Sequence, residues 1–388
     1  MRDRGTRTLQ WAARSLWDRG AALSRLVHPL DPNVRAPFRY LIQLASACRP
    51  VAACAVGLAW AAVPVGASTW GDERWVLTPD LAVRHVRDET TGRHGERYNL
   101  VLDAYGKLGT AHRDIATVVA QVYLSRLERH PAPPAVFDGP TDTEVLPMIN
   151  SINLHLTGDR ALNLKVGHFE LPYGLETSIT NSGELRSFTM GANTGLGVDW
   201  GASLNGTLER FQYEVGVGRG SGIFYADNFD PFSLFGRIGS PVDSETYGGT
   251  TGWGFSVFRG KVLNGARTAV LRRQRIALDG QVYLGPLGLL GELSAGANGE
   301  GVRRVRVLNG LAEVNLTSRR EIVSGYLQLL GERTAAGGRG VRTWTQVVGV
   351  RWTPAPGWIL SAARDERIWR QPGTRPQVFL NLQVRRRL

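Results

Sequence analysis

The chain is nearly devoid of cysteine: in 388 residues there are two, Cys48 and Cys54, both close to the N-terminus. Everything beyond them is therefore without a disulfide framework and without a cysteine-ligated zinc or haem centre. Lysine is almost as scarce, with Lys107, Lys165 and Lys261 the whole complement. No run of about 18 or more uncharged apolar residues follows the N-terminal region, which excludes spanning helices there. G-x-S-x-G, H-E-x-x-H and a glycine loop ending in Lys-Ser/Thr are all missing, so the expectation is a non-enzyme with no cofactor and no metal. A lipase would need Ser and His on a lipid-facing surface, whereas Ser151 and His155 lie on the polar side of their segment. Asp227-Asn228-Asp230 lacks EF-type spacing and reads as a solvated loop rather than a calcium site.

What is present begins with an export signal. Arg39 and Arg49 precede an apolar run from Val51 to Val63, closed by Pro64 and the small-residue exit Val65-Gly66-Ala67. That order predicts a signal peptide cleaved after Ala67, giving a leader over 1–67 and one further domain over 68–388. The distance from Met1 implies either a long leader or a start upstream of the true one. The first 68 residues hold nine Arg against three Asp, half of the formal net charge of +12. The remaining basicity suits an anionic solute or lipopolysaccharide, and an exported β-rich chain argues against nucleic acid.

From there the sequence alternates. In RIALDGQVYLGPLGLLGELSAGA, Ile276, Leu278, Gly280, Val282 and Leu284 fall on one side, with Arg275, Ala277, Asp279, Gln281 and Tyr283 between them. After Gly285-Pro286 the pattern resumes with Leu289, Gly291, Leu293 and Ala295. Strict period two on both sides of a Gly-Pro turn is a β-hairpin signal. The same alternation recurs at 98–105, 116–125, 151–157, 196–205, 211–218 and 378–388. It predicts an all-β, transmembrane antiparallel β-barrel of about 16 strands, each roughly ten residues long, the length a tilted strand needs to cross a bilayer. With a mean hydropathy of -0.16 the chain is no helical membrane protein, and closed β-structure is the remaining way to span.

The links add an independent pattern. Tight ones (TGDRA from Thr157, LNGTLE from Leu204, GPLG from Gly285, TSRRE from Thr317, TPAPGW from Thr353) alternate with longer ones from Arg129, Leu171, Ser221, Ala297, Gly331 and Trp369. Short turns on one rim and long loops on the other are the periplasmic and extracellular ends of such a barrel. SPVDSETYGGTT from Ser240 breaks the rule by its length. Trp352 and Trp358 share the apolar face across the TPAPG turn, and Trp344 lies eight residues earlier, about 26 Å of strand, as two interfacial girdles require.

VGHFELPYGLE, Val166 to Glu176, resembles the glycine-aromatic-proline strand-to-loop signature of Gram-negative outer-membrane porins, loosely those of the phosphate-selective O/P-like type. The resemblance covers about a tenth of the chain and implies sixteen strands with a loop folding inward after Gly174. The basic ladder of the phosphate-selective type is not evident among three lysines, so phosphate specificity is not implied. Such barrels commonly end in an aromatic residue, and this chain ends in Leu388 after Arg385-Arg386-Arg387.

In this register the inward, pore-lining residues are Asp103, Lys165, Asp199, Arg210, Glu214, Arg275, Asp279, Glu292, Glu313 and Arg351, with Arg385 beside them. Positive and negative charges nearly balance, so no strong ion preference follows. The link from Leu171 to Asn193 is the longest without pattern, and its Glu176, Glu184 and Arg186 are the candidate constriction loop. His168 and Glu170 fall on the lipid side and mark a strand end. The expectation is an outer-membrane channel for passive diffusion of small polar or ionic solutes. Its partners are membrane lipid and lipopolysaccharide, small solutes and further copies of itself as a homotrimer. The alternative is a barrel sheathing or docking a partner such as a multihaem cytochrome, with an outer-membrane enzyme a minor third reading.

Overall fold

The computed structural model describes residues 75–110, 113–179, 183–224, 230–241, 251–264, 268–300, 303–336, 339–369 and 376–388. The segment expected to be an export signal, with both cysteines, Asp227 and Asn228, and most of the long link after Ser240 lie outside the described residues.

Sixteen strands follow one another in chain order. The first eight are β1 (Trp75–Asp88), β2 (His94–Gly109), β3 (Asp114–Glu128), β4 (Asp142–His155), β5 (Asn163–Glu170), β6 (Val198–Thr207), β7 (Gln212–Gly218) and β8 (Phe232–Gly239). The second eight are β9 (Gly252–Leu263), β10 (Val270–Leu284), β11 (Leu287–Glu300), β12 (Arg303–Thr317), β13 (Val323–Ala336), β14 (Arg339–Ala355), β15 (Trp358–Trp369) and β16 (Val378–Arg387). Each pairs antiparallel with its neighbours, and β1 pairs with β16 to close the barrel. Closure leaves no open edge, the condition under which β-structure tolerates a bilayer.

Period two decides which way each side chain points. On β10, Leu278 is 61% exposed on the outer wall while Asp279, one residue on, is 8% exposed on the inside. Across the closing seam Arg385 Nε donates to Asp80 Oδ2 at 2.7 Å, an inward ion pair joining the two ends of the sheet. Gly285 and Gly357 take φ of 61° and 74° in the β10–β11 and β14–β15 turns, where a left-handed residue matches the turn to the twist of the strands.

Three expectations need correction. Strands exceed ten residues, reaching 16 in β2 and 17 in β14. ANGEGVRR and GERTAAGGRG are mostly ladder rather than loop, because pairing continues above the bilayer where both faces are wet and hydropathy no longer alternates. Arg210 does not line the wall: β6 stops at Thr207, Leu208 N–H donates to Phe211 O at 2.8 Å to close a tight turn, and Arg210 is exposed in it. The strands from β5 to β8 are short, at 7 to 10 residues.

Candidate functional site

The described parts of the link between β5 and β6, residues 171–179 and 183–197, lie in the interior. Leu171, Tyr173 and Leu175 are fully buried, and Leu171, Tyr173 and Met190 pack with Phe169, Phe235 and Phe258 as an apolar anchor. Polar contacts then fix its course. The Tyr173 hydroxyl lies 2.6 Å from Ser294 Oγ on β11, and Gly174 N–H donates to Ser256 Oγ on β9. Gly174 has φ of 69°, and a Cβ there would fall 2.3 Å from the Glu292 carboxylate, so the turn into the lumen requires glycine. Glu292 accepts from Leu175 N–H at 2.8 Å, Thr189 Oγ1 at 2.5 Å and Asn193 Nδ2 at 3.1 Å, stapling both halves of the loop to β11. A single helical turn, α1 (Met190–Thr194), carries Asn193 to that staple and to Asn309 on β12.

The middle of the loop crosses to the far wall. Arg186 Nε donates to both Glu313 oxygens at 3.0 Å, and its Nη1 to Glu184 at 2.9 Å. Ser187 N–H donates to Gln328 on β13, and Gly183 O accepts from Ser361 on β15 and Gln383 on β16. The loop is thus tied to the strands from β9 to β16, with Arg273 of β10 donating to the Ala192 carbonyl at 2.7 Å and Arg351 of β14 near Glu184.

The expected wall residues differ in what they hold. Glu292, Glu313 and Arg351 hold the loop, the last 3.6 Å from Glu184. Lys165 with Glu214, and Asp279 with Arg237, are ion pairs within the wall. Asp199 is fully buried and accepts from Gly220 N–H, Gly222 N–H and Ser233 Oγ, so it pins the segment after β7 rather than facing solute. Arg275 is spent on the Ala297 carbonyl and Asn298. Asp103 faces inward next to Gln121 in register. His168, at an outward position, is covered by the Trp200 ring at 4.8 Å and reaches the Gly222 carbonyl, a packing role.

Inward cations missed by the sequence reading include Arg84, Arg97, Arg237 and Arg273. Arg84 donates to Gln383 at 3.1 Å, and Arg97 donates to Asn99 and lies 5.8 Å from the Phe137 ring. Neither has an ion pair among the described residues. The signal was the same alternation, with Leu81 and Val83 set against Ala82, Arg84 and Val86. Arg237 follows likewise from Phe232, Leu234, Gly236 and Ile238 on the outer face of β8.

Loop groups respond to this setting. Burial, with repulsion from Glu170 and Glu292, pushes the Glu176 carboxyl up to about 8, so it is largely neutral near pH 7. Burial opposes the charge on Arg186, and Glu184 with Glu313 outweigh it, raising its pKa. Burial next to Arg97 and Arg84 lowers His130. On the β3–β4 link, Asp138, Asp142 and Glu144 place carboxylates within 4.8 Å of one another. Asp142 there accepts from Asp138 N–H and closes the turn.

A closed barrel of sixteen antiparallel strands, apolar outside and crossed by an inward loop, defines the class: the chain has the architecture of the outer-membrane porins. No protein-family model and no curated protein matches the sequence. Among solved structures, Vibrio cholerae OmpT folded in vitro superposes with a TM-score of 0.60 at 9% identity, covering 83% of this chain and 100% of that one. Salmonella typhi OmpF in complex with daunomycin gives 0.58 at 8% identity, covering 81% and 97%. An anion-selective porin from Comamonas acidovorans gives 0.55 at 12% identity, covering 81% and 99%. At these identities the likeness is one of fold.

Proposed function

We propose that the protein is an outer-membrane channel through which small polar solutes diffuse passively, with a mild preference for anions. One observation carries the reading: a long loop is bonded to the strands from β9 to β16 across the inside of a closed barrel, narrowing a lumen that sixteen strands would otherwise leave wide. The anion preference rests on Arg84 and Arg97, inward cations with no ion pair among the described residues, and on the neutral state of Glu176, with Asp365 acting on Arg84 only at longer range. A sheath around a second protein has less support, because the pinned loop occupies the space such a partner needs. A homotrimer is in keeping with the trimer form in which Vibrio cholerae OmpT has been solved.

Liposome swelling tests the reading. Vesicles containing the purified barrel should admit monosaccharides readily and larger oligosaccharides progressively more slowly. Swelling no faster than in empty vesicles would refute it.

A further inference from the structure

The outer face of the β1–β2 hairpin carries a group of side chains that diffusion through the lumen does not use. No contiguous motif announces it, because strand register assembles it. His85 on β1 lies directly opposite Glu96 on β2, and Arg87 lies opposite His94, so His94 stands two residues from Glu96 on the same face and diagonal to His85. Lower on that face the outward residues are apolar, Leu81 and Val83 on β1 and Leu100 and Leu102 on β2. The two histidines therefore sit where the wall passes from lipid to water.

The arrangement has the parts of a metal site. His85 Nδ1 lies 3.1 Å from Glu96 Oε1, the contact in which an imidazole N–H donates to a carboxylate. That bond fixes the tautomer and leaves the His85 Nε2 lone pair outward, as a carboxylate behind a metal-binding histidine does. Glu96 is available for this role, since Glu128, opposite it in register, is held by Arg126 at 2.8 Å. The His85 and His94 rings are 5.8 Å apart between centres. Two imidazoles on one tetrahedral ion, with metal–nitrogen bonds of about 2.0 to 2.1 Å, have ring centres roughly 5 Å apart. His94 is exposed and free to turn its ring through the remaining distance.

We propose that His85 and His94, with Glu96 positioning His85, bind a divalent late transition-metal ion of the Zn2+ or Cu2+ class on the outer wall, water filling the other ligand positions. Imidazole nitrogen selects such ions over Ca2+ and Mg2+, which take oxygen ligands. Bound there, the ion clips β1 to β2 beside the hairpin turn.

The test is isothermal titration calorimetry of the purified full barrel, free of a histidine tag, with zinc chloride. It reads no current, so failure of the metal site and failure of the channel reading are separable. The wild type should show a Zn2+ site that Ca2+ does not displace and that both His85→Ala and His94→Ala remove. Glu96→Gln should weaken it about 10- to 100-fold. Asp142→Asn, which alters the carboxylate group on the β3–β4 link, should leave it unchanged. With Cu2+ as the probe, electron paramagnetic resonance should show two nitrogen ligands, reduced to one in His94→Ala. Heat-modifiable mobility confirms folding in each variant. Absence of Zn2+ binding in the folded wild type would overturn the proposal. So would unaltered binding in His85→Ala, His94→Ala or Glu96→Gln, loss in Asp142→Asn, displacement by Ca2+, or a single nitrogen in the wild-type copper spectrum.

Discussion

Replacing Arg186 by Met should undock the lumenal loop without unfolding the barrel. The Arg186 side chain is 8% exposed and lies against Glu184 at 2% and Glu313 at 0%. Its guanidinium also covers the Tyr326 ring at 5.2 Å. Methionine keeps the apolar stem but leaves two buried carboxylates, with Arg351 at 3.6 Å the one cation still near Glu184. Removing one partner from such a buried cluster costs about 3 to 5 kcal/mol. That corresponds to a shift of roughly 150- to 4000-fold in the docking equilibrium of the loop. The sixteen-strand ladder is untouched, so heat-modifiable mobility should persist while single-channel conductance and current noise rise. Adding Glu313→Gln should recover part of the lost docking, since the uncompensated charge is then removed. Unchanged conductance and noise in a folded Arg186→Met barrel would refute the view that this cluster holds the loop.

Other expectations concern the walls and pH. Leu278→Arg, on the lipid face, should cost about 2 to 4 kcal/mol in a refolding titration, whereas Gln121→Arg, inside, should be tolerated and alter conductance; the reverse ranking would mean an inverted register. Arg84→Gln with Arg97→Gln should shift the reversal potential in a salt gradient toward cations, and no shift would remove these residues from solute selection. Glu176 has a raised pKa, so the stability its neutral form lends the loop is complete below the ordinary carboxylate range and is lost as pH rises toward about 8. Cation permeability relative to anions should therefore climb between about pH 6 and about pH 9 in the wild type and stay flat in Glu176→Gln.

How far the sequence reveals this architecture depends on where water ends. Within the bilayer the alternation is enforced by lipid, so Ile276, Leu278 and Val282 outside and Arg275, Asp279 and Gln281 inside were legible residue by residue. Above it the constraint lapses: 297–304 read as a loop, although β11 and β12 pair to within two residues of each other. Arg210 misled for the opposite reason, since apolar Leu208 and Phe211 flank it in the turn as they would in a strand. The Leu171–Asn193 link stood out by its length and the Pro172-Tyr173-Gly174 sequence. Its bonding partners did not, because Glu292, Glu313, Gln328 and Gln383 are scattered over strands that only closure of the barrel brings around one loop. Arg84 and Arg97 were readable in principle, but the apolar rows of β1 are interrupted by His85 and by Arg87.

The account stands most directly on planar-bilayer recording from the purified barrel in symmetrical salt. It predicts discrete, stepwise insertions with a linear current–voltage relation and, in a salt gradient, a modest preference for anions. Insertion of folded protein without conductance steps would contradict it, since a barrel whose lumen is closed or filled is not a channel.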